Sequence, residues 1–526
     1  MGSQAQRSNT GWFTRSQRCV PILASIASVL LWNSPFDSIP HPAVERTQKA
    51  APKSRGTRVQ RLVGGLNESI LELRSAYSDD ILSNANIRPA TALELEEWAF
   101  LVFESMSAAS RDFHSVEHVF DISQGADAVQ TISAYFHDVV YYSIDGGLSE
   151  LQADKLEGVI VEDREEKSVS LRADGIARDP LMSMVTGVFG FEAGQKLNPF
   201  RGLNEFLSAA VAVRTLRGVL ASHDLVRIAA CIEATIPFRG TNKDGKTVGD
   251  MLHGNLKRTR EKFPKDLGVL SDEDIIQATK QAINLSNRDV ANFAGDPETF
   301  LSNTWSLLPE SNIAIQKVRV YRISSFTFAL KKMTEFFHFV DPKVIYNQFE
   351  DEPPDEEYAG LTERATQNLD VAKTYMDAKL LSISVLGALA EQTGGDSTLS
   401  HWVGEFQEDY VTPRVEDGIE PIPDPRQDLV LDDTVFRILR EGRSSSSSFD
   451  IRNSPIAAFL YGLIGDEGLA KSMDYAVYPM DEENAEKLLR SLPKLAVGRI
   501  ALACAKVATT RAEGLMQIAG SFSGPN

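Results

Sequence analysis

Apolar residues recur at close to 3.6-residue spacing over 126–142, 205–220, 224–236, 272–285 and 321–340, the period of a helix with one buried face. The run TALELEEWAFLVFESMSAAS, from residue 91, opens with Thr91 as a candidate N-cap. Acidic residues fill its first turn, where free helix amides favour them. Residues 358–405 and 453–520 also read as amphipathic helices. Sustained alternation is scarce, and VEDREEKSVSLRA (161–173) is the stretch predicted to hold a short hairpin. The pattern predicts an all-α protein.

Breaks in the pattern suggest its organisation. Residues 143–203, rich in glycine and acid, read as an insertion. EDEPPDEE (350–357) sets two prolines among acids and reads as a solvated linker. Residues 358–526 beyond it are predicted to form a helical accessory domain, with its helices as candidates for a homodimer contact. Within that part lie the loop VTPRVEDGIEPIPDPRQD and the serines Ser444–Ser448. The serine run reads either as an anion-binding loop ahead of a helix starting at Ser454-Pro455, or as a flexible linker.

The 526 residues exceed one ordinary core, so two domains and a tail are expected. A net charge of −19 argues against a nucleic-acid polymer as partner, but a small anion remains a candidate wherever basic residues converge. Cys19, Cys231 and Cys504 are scattered and fit free thiols better than a disulfide or zinc framework. No run reaches the roughly 18 apolar residues of a spanning helix. Near the N-terminus, Arg15 and Arg18 precede VPILASIASVLLW, and a basic, acid-poor segment follows to residue 61. Residues 1–61 therefore read as a two-part leader for an organelle (a plastid among them) or for export. The alternative is a tail, disordered or packed on the body, of a soluble cytoplasmic protein.

Three of the eight histidines fall at His114, His118 and His137. In RDFHSVEHVFDI the first two stand at i and i+4, and share a face if helical. In AYFHDVVYY, His137 and Asp138 interrupt the next apolar helix. Two antiparallel helices would bring His118, His137 and Asp138 to one point, a normal donor set for a divalent ion. An HD dipeptide alone is weak: His223-Asp224 is also one, and there Asp224 fits an N-cap or first-turn acid. His253, His338 and His401 have no partner nearby in sequence and fit structural or surface roles.

The segments FHSVEH and AYFHDVVY, followed by NEFLSA (204–209), IEATIPF (232–238) and NRDVANFAG (287–295), together resemble the HD-domain metal-dependent phosphohydrolases over roughly residues 90–345. The nearest branch is that of predicted phosphohydrolases with YHN-like, FHDxVY and NEExSA-like motifs. The resemblance implies an HD-type helical bundle over 62–349, interrupted by 143–203. It implies a metal ligand set of His118, His137, Asp138 and Asp289, holding one divalent ion from among Mn, Mg, Fe, Zn and Co. His114 would then be the catalytic proton donor, and Glu205 a catalytic or supporting residue, a ligand for a second ion, or a plain first-turn acid. Arg239, Arg288 and Arg111 each lie near motif residues in sequence, and Arg288 is the chosen candidate clamp for the phosphate of a small phosphorylated substrate, a nucleotide among the choices. The expected activity is hydrolysis of a phosphate ester or anhydride.

The HDxxHxG continuation that would support a second ion is replaced by Val139-Val140-Tyr141. HD-GYP and HD-x-GK signatures are absent. A non-catalytic scaffold with the same fold and a two-iron oxygenase are the competing readings.

Overall fold

The computed structural model describes residues 55–84, 87–108, 110–111, 113–163, 168–312, 315, 320–404, 414–447 and 450–522. Residues 1–54 of the expected leader lie outside the described residues, and residues 55–61 belong to a helix. Residues Arg55–Ser75 form one helix, α1. Leu62, Leu66 and Ile70 of α1 are buried in the body, and Arg61 lies 4.0 Å from the centre of the Phe120 ring.

The protein is all-α apart from one two-stranded hairpin among the described residues. After α1 come α2 (Ala92–Met106), α3 (Val116–Ile122) and α4 (Ala128–Phe136). Thr91 caps α2 through a reciprocal box with Glu94, and Asp127 caps α4 in the same way with Gln130. Within 143–203, β1 (Ile160–Asp163) pairs antiparallel with β2 (Ser168–Leu171), as the alternation predicted. Helix α5 (Pro180–Val188) follows. Then come α6 (Leu203–Leu216), α7 (Ser222–Ala234), α8 (Val248–Lys262) and α9 (Asp272–Asp289). Helix α7 packs against α4, α6 and α9 at the centre of the first core. Ile228, Ala229, Ala230, Cys231 and Ile232 of α7 are fully buried there, so this helix is buried nearly all round.

A second core begins at Val290 and runs to Ala519. It contains α10 (Pro297–Glu310), α11 (Ile323–Phe339), α12 (Asp355–Glu391) and α13 (Asp433–Glu441). Four more helices complete it: α14 (Pro455–Met473), α15 (Glu482–Ser491), α16 (Lys494–Val507) and α17 (Ala512–Ser521). Its axis is the 37-residue α12, about 55 Å long at 1.5 Å per residue. Helices α11, α14 and α15 pack along it.

The linker expected at 350–357 is therefore no boundary. Pro353 is buried, Glu352 accepts a hydrogen bond from Asn284 of α9 at 3.1 Å, and Asp355–Glu357 are the acidic first turn of α12. Most buried apolar residues from Val290 to Tyr346 share a core with those of 361–519, while Phe349 packs against Val248 and Ile283 of α8 and α9. The serine run is partly structural: Ser444 Oγ and Ser445 N both bond Ser302 Oγ, while Ser448 lies outside the described residues. Phe113 and Tyr141, from the first half of the chain, join the second core. The histidine cluster sits where these two residues cross over.

Candidate metal centre

Helix α4 ends sooner than its apolar pattern suggests. The period predicted helix to 142, but the last helical residue is Phe136. His137 is the C-cap, and Asp138 follows in a turn. His137 Nδ1 lies 2.8 Å from the Ala134 carbonyl, which can only accept, so Nδ1 carries a proton and Nε2 points into the cluster. The α6 N-terminus clasps the chain beyond the turn. Val140 N donates to Ser208 Oγ at 3.0 Å, and Tyr142 N to Asn204 Oδ1 at 3.1 Å. Arg111, fully buried, donates to the Asp138 carbonyl at 2.6 Å and grips Asp145 with its other nitrogens.

His118 projects from α3. His114 does not share that helix, since Ser115 is its N-cap and His114 lies in the preceding loop. The two rings still meet edge to face at 6.2 Å, placed by tertiary contacts and not by an i, i+4 register.

His118, His137 and Asp289, all buried, offer donor atoms within 4.8 Å of one another, a group able to hold a metal ion. Nε2 of His118 and of His137 are 3.0 Å apart, and Asp289 Oδ1 lies 3.3 and 3.4 Å from them. Asp138 borders this triad, with Oδ2 2.9 Å from His137 Nε2 and 3.6 Å from His118 Nε2. Asp289, the last residue of α9, keeps Oδ1 buried without a hydrogen bond. An orphaned carboxylate oxygen facing two imidazole nitrogens is costly as it stands and is what a cation would satisfy.

The electrostatics agree. Burial presses the His118 imidazole well down, and the neighbouring His114 and His137 charges add to it, so it stays neutral. Burial acts the same way on His137, but Asp138 and Asp289 outweigh it and hold that ring protonated. Asp138 is drawn below its usual range despite burial, mainly by His137, while burial raises Asp289. Both carboxylates thus face positive charge at the His137 ring, beside the place that a divalent ion would take.

Sequence reasoning missed Glu310. This residue ends α10, where an acid opposes the helix dipole, and that misplacement is its one trace in the sequence. Its side chain is fully buried and belongs to His114. Oε2 accepts from His114 Nδ1 at 2.8 Å, and Oε1 accepts from the backbone amides of Phe113 and His114. His114 Nε2 is left 3.8 Å from Asp138 Oδ2, and its ring lies 4.9 Å from that of Tyr141. Burial lowers the basicity of His114, but the Glu310 and Asp138 charges more than compensate, and the net shift is upward.

Glu205, in the first turn of α6, is buried with Oε2 unpartnered. Desolvation, with a further push from Asp138, raises its carboxyl to about 7. The arginines do not form the expected clamp. Arg288 spends its donors on Asn284 and on the carbonyls of residues 122, 124 and 125, capping the C-terminal end of α3. Arg239 is committed to Glu233 and the Ile236 carbonyl, and Arg111 to Asp145 and Asp138. His223-Asp224, the other HD pair, is structural: Asp224 lies in the first turn of α7, where it binds Arg227 and Tyr77. No helix among the described residues is long and apolar enough to cross a membrane. No family model, curated protein or solved structure matches this chain.

Proposed function

We propose that the protein is a metal-dependent hydrolase of small phosphate esters or anhydrides, of the HD type. The observation that carries this reading is the buried His118–His137–Asp289 group with Asp138 at its edge. His118, His137 and Asp289 would hold the ion, with Asp138 as its fourth protein ligand. A bound divalent ion supplies a more acidic water and stabilises charge developing on a phosphoryl group.

The chain's own groups do the rest. His114, tied through Nδ1 to Glu310, presents Nε2–H as a proton donor for a leaving oxygen. Glu205 Oε2 is free to accept a hydrogen bond from a water or a substrate hydroxyl. With the three nearby arginines occupied, phosphate recognition falls to the ion and His114.

Elemental analysis of the purified protein tests the ligand set. The expected result is about one first-row divalent ion or Mg per chain, lost in the His137→Ala/Asp138→Ala double variant. Equal metal content in both proteins sinks the assignment. Given metal, a panel of phosphomonoesters, nucleotides and cyclic nucleotides tests turnover, and no metal-dependent product across it would favour a binding scaffold.

A further inference from the structure

At the far end of α6 from Glu205 lies a cavity of about 590 Å³, lined by Arg172, Arg178, Arg214 and Arg217. Glu205 and Arg214 are separated by about 13 Å of helix axis, so the cavity is distinct from the metal centre. Four guanidiniums in one cavity are unexpected on a chain of net charge −19.

Three carboxylates, Asp174, Asp179 and Asp266, also line the cavity, one fewer than the guanidiniums. Asp179 is saturated: it binds Arg214 and Arg217 and caps α5 through the amides of Leu181 and Met182. Asp174 is exposed and meets Arg172 and Arg178 only at 3.6 and 3.7 Å, beyond hydrogen-bond distance. Exposed pairs of that kind contribute little and yield readily to a better acceptor. Arg172, Arg178 and Arg217 thus retain open donors at the rim. Arg214 Nε is buried and unpartnered. Leu181, Met184 and Leu225, buried residues, also line the cavity and give it an apolar part. Its volume is that of a site for a small organic ligand. Guanidinium forks match phosphate oxygens in geometry as well as charge.

We propose that this cavity is a second ligand site, which takes a small phosphorylated molecule of nucleotide size. Its phosphates sit on Arg172, Arg178 and Arg217, and its body lies on the apolar part. The proposal does not depend on the chemistry at the metal centre.

Calorimetric titration of the full chain, stripped of metal by a chelator, with ADP and with pyrophosphate tests it. Three proteins are compared: wild type, Arg172→Glu/Arg178→Glu and His137→Ala/Asp138→Ala, each checked for folding by circular dichroism. ADP is expected to bind wild type and the His137/Asp138 variant equally, and the arginine variant at least ~10-fold more weakly, a loss of ~1.4 kcal/mol. Pyrophosphate is expected to compete with ADP and bind less tightly. No binding to wild type at ~10 mM, a Kd weaker than any useful site, overturns the proposal. So does loss in the His137/Asp138 variant, or indifference to the arginine substitutions.

Discussion

Replacing Glu310 with Gln tests whether the second core holds the first core's histidine in place. The carboxylate accepts from three donors: Phe113 N, His114 N and His114 Nδ1. A Gln side chain has one acceptor oxygen, so at most the two amides keep their bonds, and its NH2 faces Nδ1. A buried hydrogen bond to a charged group is worth about 1.5–3 kcal/mol, and losing charge weakens the two that remain. Glu310 is fully buried, so no solvent screening reduces the cost. The expected loss is about 2–4 kcal/mol. Urea unfolding followed by tryptophan fluorescence reads it, because Trp305 is buried on the same helix, α10. The side chain also forces Nδ1 of His114 to accept, which leaves the ring neutral and a poor donor. Turnover should fall ~10²–10⁴-fold while metal content stays constant, the loss typical of a misplaced general acid. An unchanged unfolding midpoint would refute the packing argument. Turnover lost together with the metal would show that Glu310 serves the ion and not His114.

Other outcomes follow from the same structure. Arg288→Ala should cost about 1 kcal/mol by uncapping α3, with metal content and turnover nearly unchanged; a selective rise in KM would restore Arg288 as a substrate contact. Burial lowers the His223 imidazole, so the unfolded chain binds its proton first as pH falls. Stability should therefore drop below the ordinary imidazole value of about 6.5, and His223→Gln should flatten that slope between about pH 7 and 5 in thermal melts. A Cβ on Gly249 would stand 2.6 Å from Phe349 Cβ, so Gly249→Ala should loosen the turn that leads into α12. Glutamyl endoprotease should then cut faster within 350–357, and equal cutting of both proteins would argue that the turn was never docked.

The sequence disclosed helices better than it disclosed their ends. α6, α7, α9 and α11 follow their apolar periods to within a few residues, because burial on one face writes that period directly. The stop of α4 at Phe136 was not legible. No Gly or Pro marks it, and the run continues apolar because Val139, Val140 and Tyr141 are buried as irregular chain. EDEPPDEE misled because composition reports exposure to water, and a docked turn is as exposed as a linker. His118, His137 and Asp289 were found through local motifs, whereas Glu310 reaches His114 across 196 residues and leaves only an acid at the wrong end of a helix. Arg288 shows the converse: proximity in sequence to a ligand does not place a side chain in the site.

The position of Glu310 also bears on the order in which the proposed site is assembled during synthesis. Every residue of the His118–His137–Asp289 group has been made once α9 is complete, so a nascent chain of that length already carries the triad. His114 gains its carboxylate partner only after α10 emerges, and α10 needs α12 to cover it. A ribosome-stalled or truncated product ending near residue 300 would thus be expected to hold an ion without a positioned proton donor. Such half-made chains should score as metal-loaded and inert.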